Sequence, residues 1–163
     1  MRGGAVAEFP SITLTNHTAI LTGVGPGRHG VMGNVYYDRA TGERVVPNDQ
    51  STWHRSADWL RPGARTIFEM VADHLGPAER VRTASVDEAI DRGADYATMA
   101  LIRASGESGA DALDDALPDP TVSPFLGDPA YLSDDYFRWG VRVDDLGLQQ
   151  MMDLWADPPR RRC

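Results

Sequence analysis

A dense group of hydroxyl, amide and imidazole side chains stands at the front of a helical pattern near the start of the chain. Thr13, Thr15, Asn16, His17 and Thr18 fall within six residues, and an apolar helical stretch and a Gly-rich bend follow them. Side chains of this kind either cap a helix or hold an anion at its positive end. A Thr hydroxyl becomes a good nucleophile only when a base or a metal ion lowers its pKa, and Zn²⁺ also polarises a phosphoryl oxygen. A Thr at the front of a helix therefore suits phosphoryl transfer if metal ligands surround it.

The elements that position this group follow from periodicity and turn residues. Residues 14–22 predict a helix, with Thr13 or Thr15 as its cap and Gly23 as its end. The Gly-rich stretch 24–38 ends in a short aromatic strand. A hairpin turning at Thr41 and Gly42 comes next, followed by a polar loop over 47–63 and a helix over 64–76 that ends at Gly76. The pattern then predicts a strand within 79–86 and alternating helix and strand over 87–103. A long loop or insertion over 105–135 and a last helix over 144–155 complete the order. This order favours the α/β class.

Composition excludes several classes of function. The 163 residues are 42% hydrophobic, enough for one domain with a core, and no apolar run approaches the roughly 20 residues that a membrane span needs. A net charge of −8 argues against a nucleic-acid backbone as partner. The first residues lack the apolar centre of a secretory signal, so we expect a cytoplasmic location by default. The single cysteine, Cys163, permits neither an internal disulfide nor a thiolate metal cluster.

The segment "PSITLTNHTAILTGVGPGRHGVMGN" resembles the nucleophile segment of a known family. That family is the type I phosphodiesterase and nucleotide pyrophosphatase branch of the alkaline phosphatase superfamily, which includes phosphonoacetate hydrolase. Thr15 stands where the family usually has Pro. The residues that match the family pattern are Pro10, Ser11, Thr13, Asn16, His17, Ile20, Thr22, Gly23, Pro26, His29, Gly30 and Asn34.

The resemblance implies a fold, a reaction and roles for particular residues. It implies a three-layer αβα fold and a site with two zinc ions. Thr13 would be the nucleophile and a ligand of one zinc ion, and Asn34 would donate a hydrogen bond to a phosphoryl oxygen. His17 and His29 would be structural. The reaction would be attack by Thr13 on phosphorus, a covalent phosphothreonine and hydrolysis by metal-bound water, and the substrate would be a small phosphate ester or phosphonate. Phosphodiesters, phosphonates and phosphomonoesters all stay open.

The chain does not contain the other zinc ligands that the resemblance implies. These are an Asp on a strand before the nucleophile segment, a D-x-x-x-H pair, an Asp-His pair and a final His. We therefore expect residues 1–163 to be a partial catalytic domain, with an incomplete sheet truncated at both ends and 105–135 as a loop or cap insertion. The isolated chain would be inactive. The alternative is a non-catalytic remnant or binding protein that retains this segment of the fold.

Other candidate motifs have plainer interpretations. Asp73 and His74 are adjacent, like a family zinc pair, but they lie in an amphipathic helix and are expected on the surface. His54 lies in a polar loop, and its spacing from other residues reveals no partner. The acidic stretch 111–119 lacks calcium-loop spacing and is expected to be solvated surface. Residues 25–30 fit G-x-G-x-x-G, but no helix pattern follows, so a dinucleotide site is rejected.

Overall fold

The computed structural model of the chain describes residues 6–49, 51–79, 81–105 and 135–156. Helices and short strands are mixed along these residues, which is consistent with the α/β class. The elements are α1 Thr13–Thr22, α2 Pro26–His29, β1 Tyr36–Tyr37, β2 Arg44–Val45, a 3₁₀ helix Trp53–Trp59, α3 Ile67–Glu79, β3 Ala84–Ser85, β4 Tyr96–Ala97, α4 Thr98–Ser105 and α5 Asp135–Ala156.

The predicted hairpin is confirmed. Strands β1 and β2 pair antiparallel, with Tyr36 opposite Val45 and Tyr37 opposite Arg44. Gly42 closes the turn with a φ of 72°, a left-handed conformation that glycine adopts without steric cost. Its N–H donates to the carbonyl oxygen of Asp38 at 2.8 Å.

A second small sheet joins β3 and β4 in parallel. Ala84 lies opposite Tyr96, and Ser85 lies opposite Ala97. The Asp95 carboxylate accepts the backbone N–H of Thr83 at 2.9 Å, which fixes the start of the pair. Within the described ranges these two sheets are separate and two-stranded, so the three-layer arrangement stays an expectation.

Helix α1 begins one residue earlier than its apolar pattern predicts, and the expected Thr cap is wrong. The N-cap is Ile12, in an extended conformation, and no side chain caps the helix. Thr13 is the first helical residue, and the Thr15 side chain is buried. Gly23 ends the helix as predicted, with a left-handed φ of 67°.

Helix α3 starts with a capping box formed by Thr66 and Glu69. The N–H of Glu69 donates to the Thr66 hydroxyl, and the N–H of Thr66 donates to the Glu69 carboxylate at 2.8 Å. The helix does not end at Gly76 but continues to Glu79. A single glycine in a helix interior costs only about 1 kcal/mol, so it weakens a helix without ending it.

Two further predictions need correction. The segment expected as a polar loop contains a 3₁₀ helix over Trp53–Trp59, with Trp53 and His54 buried. Helix α5 starts at Asp135 rather than near Asp144. The long loop predicted over 105–135 lies, from residue 106 to residue 134, outside the described residues.

A small apolar cluster holds α1 against the rest of the fold. Leu14 of α1 packs in it with residues that come from three other parts of the chain. Trp59 packs against the same cluster from the end of the 3₁₀ helix. The position of the first turn of α1 is therefore set by burial of the residue next to Thr13. The buried members are Leu14, Val31, Leu60 and Ile90.

Candidate functional site

Thr13 lies on the exposed side of the first turn of α1. Its neighbour Leu14 is buried, while the Thr13 side chain faces solvent. The Thr13 hydroxyl makes no hydrogen bond to any residue that the structure describes. The first N–H groups of a helix have no acceptor within the helix, and no side chain caps them here. An exposed hydroxyl and backbone N–H groups without a capping side chain therefore lie at the positive end of one helix.

Asn16 fixes the chain where it enters this helix. Its side-chain oxygen accepts the backbone N–H of Glu8 at 2.8 Å, and its side-chain nitrogen donates to the carbonyl oxygen of Ile12 at 3.0 Å. The same nitrogen lies 3.4 Å from the carbonyl oxygen of Pro10. This motif residue thus ties the segment before α1 to the helix and holds Thr13 in place.

Thr13 opens into a cleft of about 270 Å³, which we call the Thr13 cleft. Residues from α1, the loop after β3, α4 and α5 meet there. Among the described residues, three carboxylates line it and no arginine does. The lining residues are Thr13, Leu14, His17, Asn48, Trp53, Asp87, Glu88, Ala89, Met99 and Asp144.

His17 stands one helical turn after Thr13 and pairs with the loop after β3. Its Nδ1 lies 2.7 Å from Oε2 of Glu88. Residues four apart share one face of a helix, so Thr13 and His17 face the cleft together. The contact links α1 to the loop and orients the imidazole, in agreement with the structural role that the resemblance implies for His17.

Asp87 is the second notable residue of that loop. Its φ of 52° is left-handed, which is uncommon for a residue other than glycine. Its N–H donates to the Thr98 hydroxyl at 2.9 Å. Burial, a hydrogen bond with the Asp144 carboxyl and the negative charges of Asp144 and Glu88 raise the pKa of Asp87 to about 7. Two carboxyl groups from separate elements thus meet at the rim of the Thr13 cleft, and their contact favours the protonated form of Asp87.

The segment that carries Asn34 passes beside the start of α1. A Cβ atom on Gly33 would lie 3.4 Å from Cδ1 of Ile12, so Gly33 and the N-cap residue are in contact. Asn34 is partly buried, and its Oδ1 has no hydrogen-bond partner among the described residues. Asn34 does not line the Thr13 cleft. The structure therefore brings the neighbours of Thr13 and Asn34 together without placing the two side chains in one cavity.

The remaining histidines, His29, His54 and His74, do not line the Thr13 cleft. His29 is fully buried, and burial with the nearby Arg61 charge lowers its pKa to about 4. His54 is also buried, and burial lowers its pKa. Asp73 is exposed and pairs with Arg65, and His74 next to it is exposed, which confirms the predicted surface pair.

The described residues do not form a zinc site by themselves. Within residues 6–49, 51–79, 81–105 and 135–156, no group of three or more His, Cys, Asp or Glu side chains is placed to hold one metal ion. Thr13 has no histidine or carboxylate arranged around it as a ligand set. The acidic stretch 111–119 lies outside the described residues.

The carboxylates of the cleft were not candidates from the sequence. Asp87 and Glu88 follow strand β3, and Asp144 lies on α5, which comes much later in the chain. The sequence did carry a weak signal for a site, because acidic residues directly after a strand lie at the edge of the sheet where α/β folds usually bind their ligands. No spacing rule connects positions 87 and 144, so only the fold could bring them together.

Comparison with known proteins places the chain in a family. The family described as "Type I phosphodiesterase / nucleotide pyrophosphatase" matches residues 3–135. An uncharacterized pyrophosphatase/phosphodiesterase of Schizosaccharomyces pombe is 32% identical over 81 residues, which cover 47% of this chain and 17% of that protein. Ectonucleotide pyrophosphatase/phosphodiesterase 2 of Saccharomyces cerevisiae is 31% identical over 81 residues, which cover 47% of this chain and 16% of that protein.

The matches therefore reach only about a sixth of the length of these relatives, 17% and 16%. None of the helices within the described residues combines the length and apolar character needed to cross a membrane. The nucleophile-like segment, its place at the start of α1 and the match over residues 3–135 agree with one another. The chain belongs to the type I phosphodiesterase/nucleotide pyrophosphatase family.

Proposed function

We propose that this chain is part of a metal-dependent phosphodiesterase or phosphohydrolase in which Thr13 is the nucleophile. The Thr13 oxygen attacks phosphorus, the ester oxygen leaves with a proton, and a phosphothreonine forms. Water then cleaves the phosphorus–oxygen bond to Thr13, which releases a phosphomonoester from a diester substrate, or phosphate from a monoester, and restores the hydroxyl. Asn34 donates a hydrogen bond to a phosphoryl oxygen during the attack. The substrate is a small phosphate ester or a phosphonate.

The position of Thr13 is the observation that carries this proposal. Its hydroxyl is exposed and without a hydrogen-bond partner in the described residues, at the first position of a helix that no side chain caps. An ordinary capping Thr would stand one residue earlier and bond to the helix backbone. A conformation that leaves both the hydroxyl and the helix donors free is suited to meeting a phosphoryl group.

The charge of the cleft supports dependence on a cation. Asp87, Glu88 and Asp144 line the Thr13 cleft, and no arginine lines it, so an anionic substrate meets repulsion there. An unassisted Thr hydroxyl is also a poor nucleophile at neutral pH. We therefore propose zinc as the metal ion, with Thr13 as one of its ligands. Its other ligands would be residues outside the described ranges or outside this chain, since the described residues supply no ligand cluster.

The test uses a longer protein that contains these 163 residues and hydrolyses an aryl phosphodiester. Thr13→Ala should abolish turnover, and Thr13→Ser should retain part of it. Mass spectrometry of a quenched reaction should find, on residue 13, the phosphoryl group with the ester group that did not leave. Thr41→Ala, on the exposed hairpin turn, is the matched control and should behave as wild type. Full activity of Thr13→Ala would remove Thr13 from the reaction.

The second candidate is a non-catalytic protein that retains this part of the fold. The absence of a ligand cluster within the described residues is the observation that favours it. Zinc titration of the longer protein separates the two. Two bound ions per chain support the hydrolase, whereas no tight binding supports the non-catalytic protein.

A further inference from the structure

A second cavity lies apart from the Thr13 cleft, between the β1–β2 hairpin and the end of the 3₁₀ helix. Its volume is about 740 Å³, and it shares no lining residue with the Thr13 cleft. We call it the aromatic groove. It is of a size that accommodates a small organic ligand, because such sites range over roughly 300–1,000 Å³. Its chemically distinctive lining residues are Tyr36, Tyr37, Asp38, Arg39, Trp59 and Arg61.

Two guanidinium groups in this groove have no carboxylate partner within the described residues. Arg39 makes no hydrogen bond or ion pair there, and Arg61 donates only to the carbonyl oxygen of Gly27, at 2.7 Å. Two carboxylates, Asp38 and Asp58, also line the groove, and each has a partner other than Arg39 and Arg61. The Asp58 carboxylate pairs with Arg55 at 2.9 Å, and the Asp38 carboxylate accepts the N–H of Ala40 at 2.7 Å. In a chain of net charge −8, a cavity with two unpaired cations is suited to an anion.

The fold holds Arg61 at the edge of the groove. The backbone N–H of Arg61 donates to the carbonyl oxygen of His29 at 3.0 Å. Its side-chain stem lies over Gly30, where a Cβ atom would come within 2.8 Å of Arg61 Cγ. The φ of Gly30 is 93°, which also requires glycine. The Gly-rich bend, which is not a dinucleotide site, thus has a function in placing a cation.

The same groove presents aromatic rings. Tyr36 and Trp59 are partly buried and held by packing, whereas Tyr37 is exposed. Burial and the Asp38 charge raise the pKa of Tyr36, so its hydroxyl stays neutral and can donate a hydrogen bond. Aromatic faces stack on planar ligands with little dependence on the exact ring. Rings and unpaired guanidinium groups in one cavity complement a flat molecule that carries negative charge.

We propose that the aromatic groove binds a small planar aromatic anion, such as an aryl group bearing a phosphate or a carboxylate. The rings stack on the aromatic part, and Arg39 and Arg61 contact the anionic part. This proposal does not rest on Thr13 being a nucleophile, because the two cavities share no lining residue.

The test measures binding to the 163-residue chain by NMR or isothermal titration. Phenyl phosphate has both features, inorganic phosphate lacks the ring, and phenol is uncharged at neutral pH. We expect phenyl phosphate to bind at least tenfold more tightly than either of the others, and benzoate shows whether a carboxylate replaces the phosphate. Equal affinity for inorganic phosphate, or no saturable binding of phenyl phosphate and benzoate, would overturn the proposal.

Variants locate the binding. Arg39→Gln lies on an exposed turn, so it should leave the fold intact and weaken binding about tenfold, which corresponds to about 1.4 kcal/mol. Tyr37→Leu, at an exposed ring, should weaken it severalfold. Arg82→Gln removes the same charge outside the groove and is the matched control. An equal loss in Arg82→Gln, or no loss in Arg39→Gln and Tyr37→Leu, would contradict the assignment.

Discussion

At the scale of single residues, the sequence motif indicates which side chains matter but not how they are held. Thr13 was expected either to cap the helix or to act as a nucleophile, and the structure excludes the cap because Ile12 occupies that position. The choice between Thr13 and Ile12 as the cap depends on the φ and ψ angles of one residue. Sequence patterns locate helix ends only to within a few residues. The motif residue Asn16 proves to secure the entry to the helix.

Asn34 supplies the first prediction at this scale. If its side chain donates to a phosphoryl oxygen as the charge develops, Asn34→Ala in the longer, active protein should lower kcat by about 100-fold. Asn48→Ala is a control, since Asn48 lines the Thr13 cleft without an assigned part in the reaction. Steady-state kinetics with an aryl phosphodiester measure both variants. An unchanged kcat in Asn34→Ala would exclude this role for Asn34.

The second prediction at this scale concerns His29. Its pKa is about 4 in the folded chain and 6.5 in the unfolded chain, so between these values the unfolded state binds more protons. The contribution of neutral His29 to the free energy of unfolding is therefore complete above pH 6.5 and is lost as the pH falls toward 4. The change is on the order of 2–3 kcal/mol.

Urea unfolding of the wild type and of His29→Asn from pH 4 to pH 8 tests this pH dependence of stability. The asparagine keeps an acceptor for the N–H of Val31. We expect the variant to lose less stability on acidification than the wild type. An identical loss in both chains would mean that His29 is not buried in its neutral form.

At the scale of elements, helix α5 is an element whose packing could not be predicted from the sequence. Its apolar residues Leu148, Met151, Met152 and Trp155 are spaced to form one stripe of the helix, yet all four are exposed in the structure. The buried contact is made instead by Gly147, where a Cβ atom would come within 3.0 Å of Asp87 Cβ, and by Gln150, whose side chain accepts the Thr98 hydroxyl. A close approach at glycine leaves no periodic signal. The hairpin and α1 were predictable because their turn residues and apolar spacing are local.

The Asp87–Asp144 contact gives a prediction about how α5 packs. The pKa of Asp87 is about 7 folded and 3.8 unfolded, so between pH 4 and pH 7 the folded state binds more protons. Stability from this group is therefore complete below about pH 4 and declines as the pH rises to 7. We expect a change of about 1 kcal/mol, because Asp87 is exposed to solvent on one side. This decline opposes the gain from His29.

Asp87→Asn should remove the decline and make the chain more stable at pH 8 relative to pH 5 than the wild type is. Asp153→Asn is the control, because Asp153 lies on α5, like Asp144, but its carboxylate accepts a hydrogen bond from Gln149 rather than contacting the loop after β3. Urea midpoints at several pH values measure the effect. The same pH profile for wild type and Asp87→Asn would show that the pKa of Asp87 is not raised in the folded chain.

At the scale of the whole molecule, the family could be recognised from one segment, but the complete site could not be built. The motif over residues 10–34 led to the family that the match over 3–135 supports. The expected three-layer fold and the proposed zinc ligands would depend on residues distant in sequence, and the described residues contain two small sheets and no ligand cluster. Among the described residues, helix α5 exposes an apolar side, with Trp155 at 90% exposure.

The most direct test of the account is an activity assay on the 163-residue chain with excess Zn²⁺. Thr13 needs a metal ion to become a good nucleophile, and catalytic zinc ordinarily has three protein ligands of the His, Asp, Glu or Cys type. The account predicts no zinc-dependent hydrolysis of an aryl phosphodiester above a Thr13→Ala control. Zinc-dependent turnover that disappears in Thr13→Ala would show that the chain carries a complete site and would contradict the partial-domain interpretation.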